Sequence, residues 1–222
     1  MPAYGFNIFT RPTTVSDHEL NAFKGLAVAN ISDVMSRTTG TAALRPYHAG
    51  RTMLGRALTV KTRPGDNLMV HKAIDLAGPG DVIVVDAGGD GTNAIIGEIM
   101  VALATYRGIA GFVIDGHIRD TDSIARGNFA VFARGVSHRG PYKDGPGEIN
   151  VAVSIDGMVV RPGDIIVGDG DGLIAVSPAD AGKIAALVAN VQKAEAAVLA
   201  SIAAGTVDRA WVDATLKSKG VI

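Results

Sequence analysis

Residues 97–120, GEIMVALATYRGIAGFVIDGHIRD, hold the succession of elements that decides the fold. A glycine and Glu98 stand at the start of a segment predicted to be a helix, and the apolar run 109–114 has the length of a buried strand. Twenty residues separate Glu98 from Arg119, which is followed directly by Asp120. A helix that runs out and a strand that runs back can bring these ends together, so we expect the three charged side chains to lie close to one another.

The two ends of this segment offer two carboxylates and one guanidinium. They also offer the free backbone N–H groups of a helix N-terminus, those of about Ile99 and Met100. Together these groups suit a divalent cation and a small carboxylate anion, as in a site for a small keto acid. A purely structural interpretation is also open. Glu98 would then favour the helix dipole, and Arg119 and Asp120 would form a surface pair that contributes little stability.

The residues around this segment predict turns and an anion site rather than a nucleotide site. Asp115-Gly116 predicts a turn after the buried strand, and Asp120 could cap a short helix that begins with DTDSIAR. The glycine-rich stretch 87–97 lacks the Gly-Lys-Ser/Thr ending of a P-loop and the spacing of a dinucleotide fingerprint. We therefore expect backbone N–H groups at the helix start to bind an anion.

Composition predicts one medium-sized domain that forms oligomers. The chain has 222 residues, of which 47% are hydrophobic and only 19% charged, so its charged surface is thin for a monomer. A formal net charge of -1 and a pI of about 6.5 give no basic footprint, and nucleic acid is not an expected partner. The boundaries that we predict are a single domain over 1–222, with an N-terminal helical arm at 1–30 and C-terminal helices at 178–222.

Cysteine content and hydropathy narrow the chemistry and the location. The absence of Cys excludes disulfides, a thiol nucleophile and thiolate zinc sites, so Mg²⁺ or Mn²⁺ bound by oxygen ligands fits better. The N-terminus has no basic region followed by a long apolar run, and no window approaches the roughly 20 apolar residues of a membrane span. These features predict a cytoplasmic protein with no membrane partner.

Helix signals mark the first third of the chain. Ser16 to Glu19, SDHE, has the pattern of a capping box and predicts a first helix. The segment 31–37, ISDVMSR, predicts a second short helix with Ser32 or Asp33 as its cap.

Two histidines are left without an assigned role. The pattern predicts a strand over 53–60 and a mostly apolar helix over 67–76, in which His71 is more often a packing residue than a ligand or base. His138 lies in the long polar loop 135–148, and loops of that length are often functional.

The second half of the chain predicts further strands and then helices. Pro-Gly-Asp precedes a β-branched strand twice, at 79–86 and at 162–169, which indicates two similar strand entries in one sheet system. Asp156-Gly157 predicts a hairpin, and 168–174, GDGDGLI, predicts a tight turn rather than a calcium loop.

From Pro178 the chain predicts a long Ala-rich helix and then a short amphipathic helix near Trp211. The apolar face of the long helix could pack on its own sheet or on a partner subunit. That face comprises Ile184, Leu187, Val191, Ala194 and Val198.

Several blocks together resemble the regulator-of-ribonuclease-activity-A-like family, which includes the 4-hydroxy-4-methyl-2-oxoglutarate / 4-carboxy-4-hydroxy-2-oxoadipate aldolases. The resemblance covers nearly the whole chain and depends on the order and spacing of the blocks. They are ISDVM, GDNLMVHKAI, PGDVIVVD, GEIMVALATYRGIAGFVIDGHIRD, FARGVSHRG, GPGEINVAVSIDGMVVRPGDIIVGDGDGLIAV and the Ala-rich helix.

Within the family, the aldolases share an acidic residue, twenty further residues and then Arg-Asp, which fall here on Glu98, Arg119 and Asp120. The resemblance implies that Asp120 coordinates Mg²⁺ or Mn²⁺, partly through water, and that Arg119 holds the keto acid near its C2 oxygen. It implies that Glu98 positions a water for proton transfer. It also implies that the helix start after Gly97, through the N–H groups of Ile99 and Met100, binds the pyruvyl carboxylate.

The resemblance further implies an α/β fold, a three-layer β/β/α swivelling-type domain that assembles as a homotrimer or homohexamer. The implied activity is metal-dependent cleavage of the aldol substrate to pyruvate and a second keto acid, with oxaloacetate decarboxylation at the same site. A non-catalytic regulator of a ribonuclease is the alternative within the family. A methyltransferase that binds its cofactor at the GGDG stretch is a third hypothesis, which no strand-loop-acid pattern supports.

Overall fold

The computed structural model describes residues 4–12 and 14–222. Within them the helices are α1 (Asp17–Asn21), α2 (Val28–Val34), α3 (Leu68–Leu76), α4 (Glu98–Tyr106), α5 (Thr121–Arg126), α6 (Ala181–Ala203) and α7 (Ala210–Ser218). The strands are β1 (Phe6–Ile8), β2 (Arg45–Pro46), β3 (Met53–Thr62), β4 (Asp81–Asp86), β5 (Ala94–Ile96), β6 (Gly111–Ile118), β7 (Ala130–Val136), β8 (Gly147–Ile149), β9 (Val153–Ile155), β10 (Met158–Val160), β11 (Ile165–Asp169) and β12 (Gly172–Val176).

Four parallel strands form the centre of a mixed sheet with the order β1-β8-β3-β4-β6-β7-β2. The first part of β3 also pairs with β11, which in turn pairs with β12, while β5 pairs with the end of β6. The helices α3, α4 and α5 connect successive parallel strands. Such crossovers are right-handed and therefore lie on the same face of the sheet.

Three clusters of buried apolar side chains define the layers. The first lies between the sheet and α3, α4 and α5, and the second between the sheet and the hairpin β9–β10. The third joins α1, α2 and the inner part of α6 to β11 and β12. The prediction of an α/β fold with β/β/α layers and flanking N- and C-terminal helices is confirmed.

Of the two helix caps predicted in the N-terminal segment, one is confirmed and the other prediction is wrong. Ser16 and Glu19 form the predicted capping box, in which the Ser16 hydroxyl accepts from the Glu19 N–H at 3.3 Å. The prediction that Ser32 or Asp33 caps the second helix is wrong, because α2 begins earlier, at Val28. A carboxylate distant in sequence, that of Asp169, accepts the Val28 N–H at 2.9 Å. Because the capping carboxylate comes from β11, the residues just before α2 show no capping pattern.

The predicted turn at Asp115-Gly116 is also wrong, because β6 continues through these residues to Ile118. Aspartate and glycine are unfavourable in strands, but here tertiary contacts outweigh that preference. Asp115 pairs with Asp86 of β4 in the ladder, and its carboxylate accepts from Arg134 of β7. The register against β7 shifts between Ile114 and His117, which is a local irregularity just before the Arg-Asp pair.

Four short strands, β1, β2, β5 and β8, were not predicted from the sequence. β1 lies in the segment expected to be a helical arm and pairs in parallel with β8, which begins inside the segment expected to be a polar loop. β5 lies at the end of the glycine-rich stretch and pairs with His117 and Ile118 of β6. Strands of two or three residues carry too little periodicity to be distinguished from loops.

The other predicted elements are confirmed. The strand at 53–60, the helix at 67–76, both Pro-Gly-Asp strand entries and the two C-terminal helices are all present. β9 and β10 form the predicted hairpin, with Asp156 and Gly157 at φ 52° and 86°. Positive φ at both positions is the geometry of a type I′ turn, which Asp-Gly favours. β11 and β12 meet in the predicted tight turn.

Helix α6 packs on the domain only through its first turns. Ala181, Ile184 and Val188 are buried in the third cluster, whereas Val198 and Ile202 are 51% and 54% exposed. The segment Pro178–Ala203 has 26 residues and a mean hydropathy of 1.2 in its most apolar window, so by length and composition it could cross a membrane. The expectation that no window approaches a span is therefore wrong. One such helix is weak evidence for a membrane protein.

Candidate active site

A pocket of about 140 Å³ opens at the ends of β5 and β6, beside the first turn of α4 and the start of α3. The carboxyl ends of parallel strands are the usual place for ligands in α/β folds. Its lining residues are Asn67, His71, Ile95, Ile96, Gly97, Ile99, Met100, Arg119, Asp120, Pro141 and Lys143. The pocket thus contains every sequence-predicted site residue except Glu98, whose N–H contacts one of the lining residues.

Gly97 is the residue around which the charged groups meet. It precedes α4 in an extended conformation, with φ -153°. A Cβ at this position would collide with the Asp120 carboxylate and lie 3.0 Å from Cγ of Arg119. Only glycine leaves room for the Arg-Asp pair to approach the helix start so closely, which explains why a glycine opens this helix.

Asp120 has a left-handed backbone, with φ 59° and ψ 34°, at the position before α5. A non-glycine residue in this region costs on the order of 1 kcal/mol, least for Asp and Asn. Its side chain forms no hydrogen bond with the first turn of α5, so the expected cap of its own helix is wrong. Oδ2 instead accepts the N–H of Glu98 at 2.9 Å, so that Asp120 caps α4. The unusual backbone turns the carboxylate toward the pocket.

Arg119 retains its hydrogen-bonding capacity. Its Nε lies 3.7 Å from Oδ2 of Asp120, which is longer than a hydrogen bond, and the two side chains are 43% and 41% exposed. Its backbone N–H donates to Ile96 O at 3.0 Å, which fixes the end of β6 against β5. In the described part of the chain, no other side chain accepts from the guanidinium. The planar fork of donors is therefore available to a carboxylate or a keto oxygen.

The Glu98 carboxylate is exposed and is oriented by one hydrogen bond. The hydroxyl of Ser123, in the first turn of α5, donates to Oε1 at 2.7 Å. Ser123 was not predicted from the sequence as a site residue, although its position three residues after Asp120 places it on the same turn. Asp120 and Ser123 together connect the first turn of α5 to the first turn of α4.

The two backbone N–H groups expected to bind a carboxylate differ in availability. That of Met100 lies 3.1 Å from Gly97 O, within the first turn of the helix. That of Ile99 has no acceptor among the residues that the structure describes, and the Ile99 side chain is 82% exposed. Ile99 therefore supplies the freer of the two donors, and the role of both stays a prediction.

The two histidines have different surroundings. His71 of α3 is half-buried and lines the pocket, and burial, followed by the nearby Lys143 ammonium, lowers its pKa below the usual 6.5. A neutral imidazole at neutral pH follows from this shift. His138 is exposed and does not line the pocket.

A second wall of the pocket comes from the long polar loop. Tyr142 N–H donates to Gly65 O, and Asn67 N–H donates to Tyr142 O at 3.0 Å, which holds Pro141 and Lys143 over the start of α3. Neither Lys143 nor Asn67 was predicted from the sequence as a site residue. Neither residue belongs to a motif, because their proximity depends on pairing between segments about 75 residues apart.

The carboxylates at the pocket can be compared with the ligands that the expected Mg²⁺ or Mn²⁺ takes. Within residues 4–12 and 14–222, no group of three or more His, Asp or Glu side chains is arranged to hold a metal ion. Mg²⁺ commonly takes only one or two carboxylates from the protein and completes its octahedron with water and substrate oxygens. Asp120 fits this mode, since Oδ2 is engaged by Glu98 N–H and Oδ1 has no hydrogen-bond partner in the described residues. Mg²⁺ or Mn²⁺ stays a prediction.

Comparison with protein families identifies the class to which this fold and site correspond. Residues 28–176 match the model of the RraA-like family, described as Aldolase/RraA. The chain belongs to the RraA-like family. The matched range contains the four central parallel strands and the whole pocket, whereas β1, α1, α6 and α7 lie outside it.

Relatives within the family carry provisional aldolase names. A protein of Halalkalibacterium halodurans, provisionally named a 4-hydroxy-4-methyl-2-oxoglutarate aldolase, is 43% identical over 71% of this chain and 75% of that protein. A protein of Pseudomonas aeruginosa with the same provisional name is 38% identical over 56% of this chain and 75% of its own length.

Solved structures agree on the fold but carry different names. An uncharacterized protein from Pseudomonas syringae matches with a TM-score of 0.79 at 28% identity, over 87% of this chain and 96% of its own. The RNA-processing inhibitor RraA from Thermus thermophilis matches with a TM-score of 0.63 at 27% identity, over 68% of this chain and 92% of its own. A protein from Geobacillus kaustophilus, named an S-adenosylmethionine: 2-dimethylmenaquinone methyltransferase, matches with a TM-score of 0.64 at 29% identity, over 68% of this chain and 94% of its own.

Proposed function

We propose that this protein is a divalent-metal-dependent aldolase, a carbon–carbon lyase. Its substrates would be 4-hydroxy-4-methyl-2-oxoglutarate or 4-carboxy-4-hydroxy-2-oxoadipate, which it cleaves to pyruvate and a second keto acid, and it would also decarboxylate oxaloacetate. The observation that carries the proposal is the approach of Arg119 and Asp120 to Gly97 in the lining of one pocket, with Glu98 beside them and bonded to Asp120 through its N–H. The provisional aldolase names of the relatives support it.

The reaction needs stabilisation of an enolate. Cleavage of the bond between C3 and C4 leaves its electron pair on the pyruvate half, while the C4 hydroxyl loses its proton to form the second keto acid. A bound Mg²⁺ or Mn²⁺ at Asp120 would act as a Lewis acid toward the keto and enolate oxygen. The unengaged guanidinium of Arg119 donates to that same oxygen, where negative charge develops.

The other groups bind the substrate and move protons. The Ile99 N–H, with that of Met100, binds the pyruvyl carboxylate at the positive end of α4. Glu98, held by the Ser123 hydroxyl, positions a water that protonates C3 of the enolate. Lys143 on the facing wall provides a positive charge for a carboxylate at the distal end of the substrate. Oxaloacetate gives the same enolate when it loses CO₂, so both reactions use one arrangement.

We further infer that the enzyme acts in the cytoplasm as a homotrimer or homohexamer, and that it binds no nucleic acid. The thin charged surface and the exposed apolar residues of α6 and α7 support self-association, including Val198, Ile202 and Trp211.

A non-catalytic regulator of a ribonuclease is the second candidate. The similarity to an RNA-processing inhibitor favours it, since 92% of that chain is matched. A binding module has no need of an unengaged Arg119 beside Asp120 at the base of a pocket, so the site geometry favours the enzyme.

A single assay separates the two candidates. Purified protein is supplied with each aldol substrate or with oxaloacetate, and pyruvate release is measured in Mg²⁺, in excess chelator, and after Mn²⁺ or Mg²⁺ is restored. We expect turnover that the chelator abolishes and the metal restores. Turnover that the chelator does not affect contradicts the metal-dependent mechanism. The absence of turnover, together with tight association with a ribonuclease, supports the regulator.

A further inference from the structure

Asn67 is a buried polar residue at the pocket that the mechanism above does not use. It is 2% exposed and precedes α3 at the position where asparagine often caps a helix. Its side chain forms no capping hydrogen bond, and the carboxylate of the preceding residue, Asp66, accepts the Leu68 N–H at 2.9 Å. The Asn67 amide is therefore free to point elsewhere, and it lines the pocket.

One end of this amide is fixed by the protein. Nδ2 donates to Ile95 O of β5 at 2.8 Å and approaches Sδ of Met100 at 3.4 Å. A reversed amide would place Oδ1 against the carbonyl oxygen of Ile95, so the contact with Ile95 determines which atom is the nitrogen. The two hydrogen-bonding ends of the side chain thus have fixed identities.

The other end has no partner. Oδ1 is buried and accepts no hydrogen bond from any residue that the structure describes. A buried acceptor without a donor carries a desolvation penalty, and buried polar groups in folded proteins nearly always have partners. A donor on a bound ligand, or on a water held beside it, would satisfy this acceptor.

The substrates limit what that donor can be. The proposed aldol substrates carry ionised carboxylates and a keto oxygen, which only accept hydrogen bonds. The pocket already supplies donors for such groups through Arg119, Lys143 and the Ile99 N–H. The one donor that these substrates carry is the hydroxyl on C4. Oxaloacetate in its keto form has no donor at all.

We propose that Asn67 is a specificity-determining residue whose Oδ1 accepts a hydrogen bond from the C4 hydroxyl of the aldol substrate. This inference rests on the proposed function and deepens it, since it names the group that distinguishes the aldol substrate from oxaloacetate. An amide oxygen is too weak a base to take the proton. Asn67 binds and orients the carbinol, while proton transfer uses water.

The test compares two substrates on one variant. Asn67→Ala lowers kcat/KM for the aldol substrate about tenfold or more, chiefly through a higher KM, because one substrate hydrogen bond is lost. The value for oxaloacetate stays within about threefold of wild type, since that substrate forms no bond to Oδ1. Asn150→Gly is the matched control. Asn150 has another buried Oδ1 without a partner, lies outside the pocket lining, and has φ 61°, which glycine adopts readily.

A second measurement begins with the wild-type enzyme, so its first result does not depend on how Asn67→Ala folds. In the wild-type enzyme, 4-methyl-2-oxoglutarate, which lacks the hydroxyl, competes with oxaloacetate about tenfold more weakly than the aldol substrate does. In Asn67→Ala, or in Asn67→Ser if the alanine variant does not fold, this difference disappears.

The outcomes separate the inference from the proposed function. Equal losses for both substrates in the variant, or equal binding of the hydroxylated and deoxy compounds to wild type, overturn the role of Asn67 alone. Wild-type protein that turns over neither substrate overturns the proposed function, and the inference falls with it.

Discussion

Two arginine–aspartate groups lie along β6, one at its middle and one just after its end, and they are built in opposite ways. Asp115, in the middle of the strand, is 4% exposed and accepts from Arg134, which also donates to Asp156 at 2.8 Å. At the end of the strand, Arg119 and Asp120 are more than 40% exposed and stand 3.7 Å apart. The first group is saturated with partners, while the second retains unused hydrogen-bonding capacity.

The difference distinguishes charged groups that stabilise the sheet from charged groups that are free to bind a ligand. Oδ2 of Asp156 also accepts the N–H groups of Ala42 and Ala43, at 2.7 and 2.8 Å, so the inner group connects four segments of the fold. Buried, fully bonded ions of this kind hold structure together. A guanidinium that is left without a full partner beside a strained carboxylate, as at Arg119 and Asp120, is instead prepared for a ligand.

The largest expected effect is on turnover at the outer group. Arg119→Ala lowers kcat about 10² to 10³-fold for pyruvate release, because a donor to the developing enolate oxygen is removed. The free energy of unfolding changes by less than about 0.5 kcal/mol, since the side chain is exposed. Steady-state kinetics with circular dichroism melts measures both. Turnover near the wild-type level would remove Arg119 from the mechanism.

The inner group is expected to respond in the reverse manner. Arg134→Ala destabilises the protein by about 3 kcal/mol, because the buried carboxylate of Asp115 loses its charged partner. Denaturant titration gives this value, and kcat per folded molecule, measured well below the melting temperature, stays close to wild type. A variant of unchanged stability but low kcat would show that the inner group also serves catalysis and would remove the contrast.

The smallest expected effect is on acid stability. Burial of Asp156 opposes ionisation, but hydrogen bonds from Ala43, Ala42 and Arg134 outweigh it and hold the pKa below 3.8. A carboxyl whose pKa is lower in the folded state contributes stability above its unfolded pKa and loses that contribution as the pH falls through the folded value.

Asp156→Asn therefore has a lower denaturation midpoint than wild type near neutral pH, and a midpoint that falls less from about pH 5 to about pH 3. Denaturant titrations at a series of pH values measure the two slopes. Parallel slopes would show that Asp156 does not carry the acid sensitivity. Glu98→Gln serves as the control, because its carboxylate is exposed at the outer group.

Much of this architecture could be predicted, because the determining signals are local. The capping box at Ser16 and the hairpin at Asp156-Gly157 depend on residues within a few positions of one another. The spacing from Glu98 to Arg119 sufficed to predict that their ends meet. The assignment of roles came from the family resemblance, since spacing alone was more typical of a surface ion pair.

The features that could not be predicted depend on distant partners. Val28 begins a helix because Asp169 caps it, and β6 continues through Asp115-Gly116 because Arg134 binds the carboxylate. Asn67 became visible only when pairing between segments placed it in the pocket. No motif records an acceptor that lacks a partner, so such groups require coordinates.

The position of Asp120 links the binding of a ligand to the stability of the folded domain. Its Oδ2 holds the first turn of α4 through the Glu98 N–H, while Oδ1 of the same carboxylate is the atom available to a cation. Whatever binds at Oδ1 also restrains the junction between α4 and α5. By mass action, a ligand that binds only the folded chain adds its binding free energy to that of folding. The melting temperature is therefore a thermodynamic gauge of how far this carboxylate is occupied.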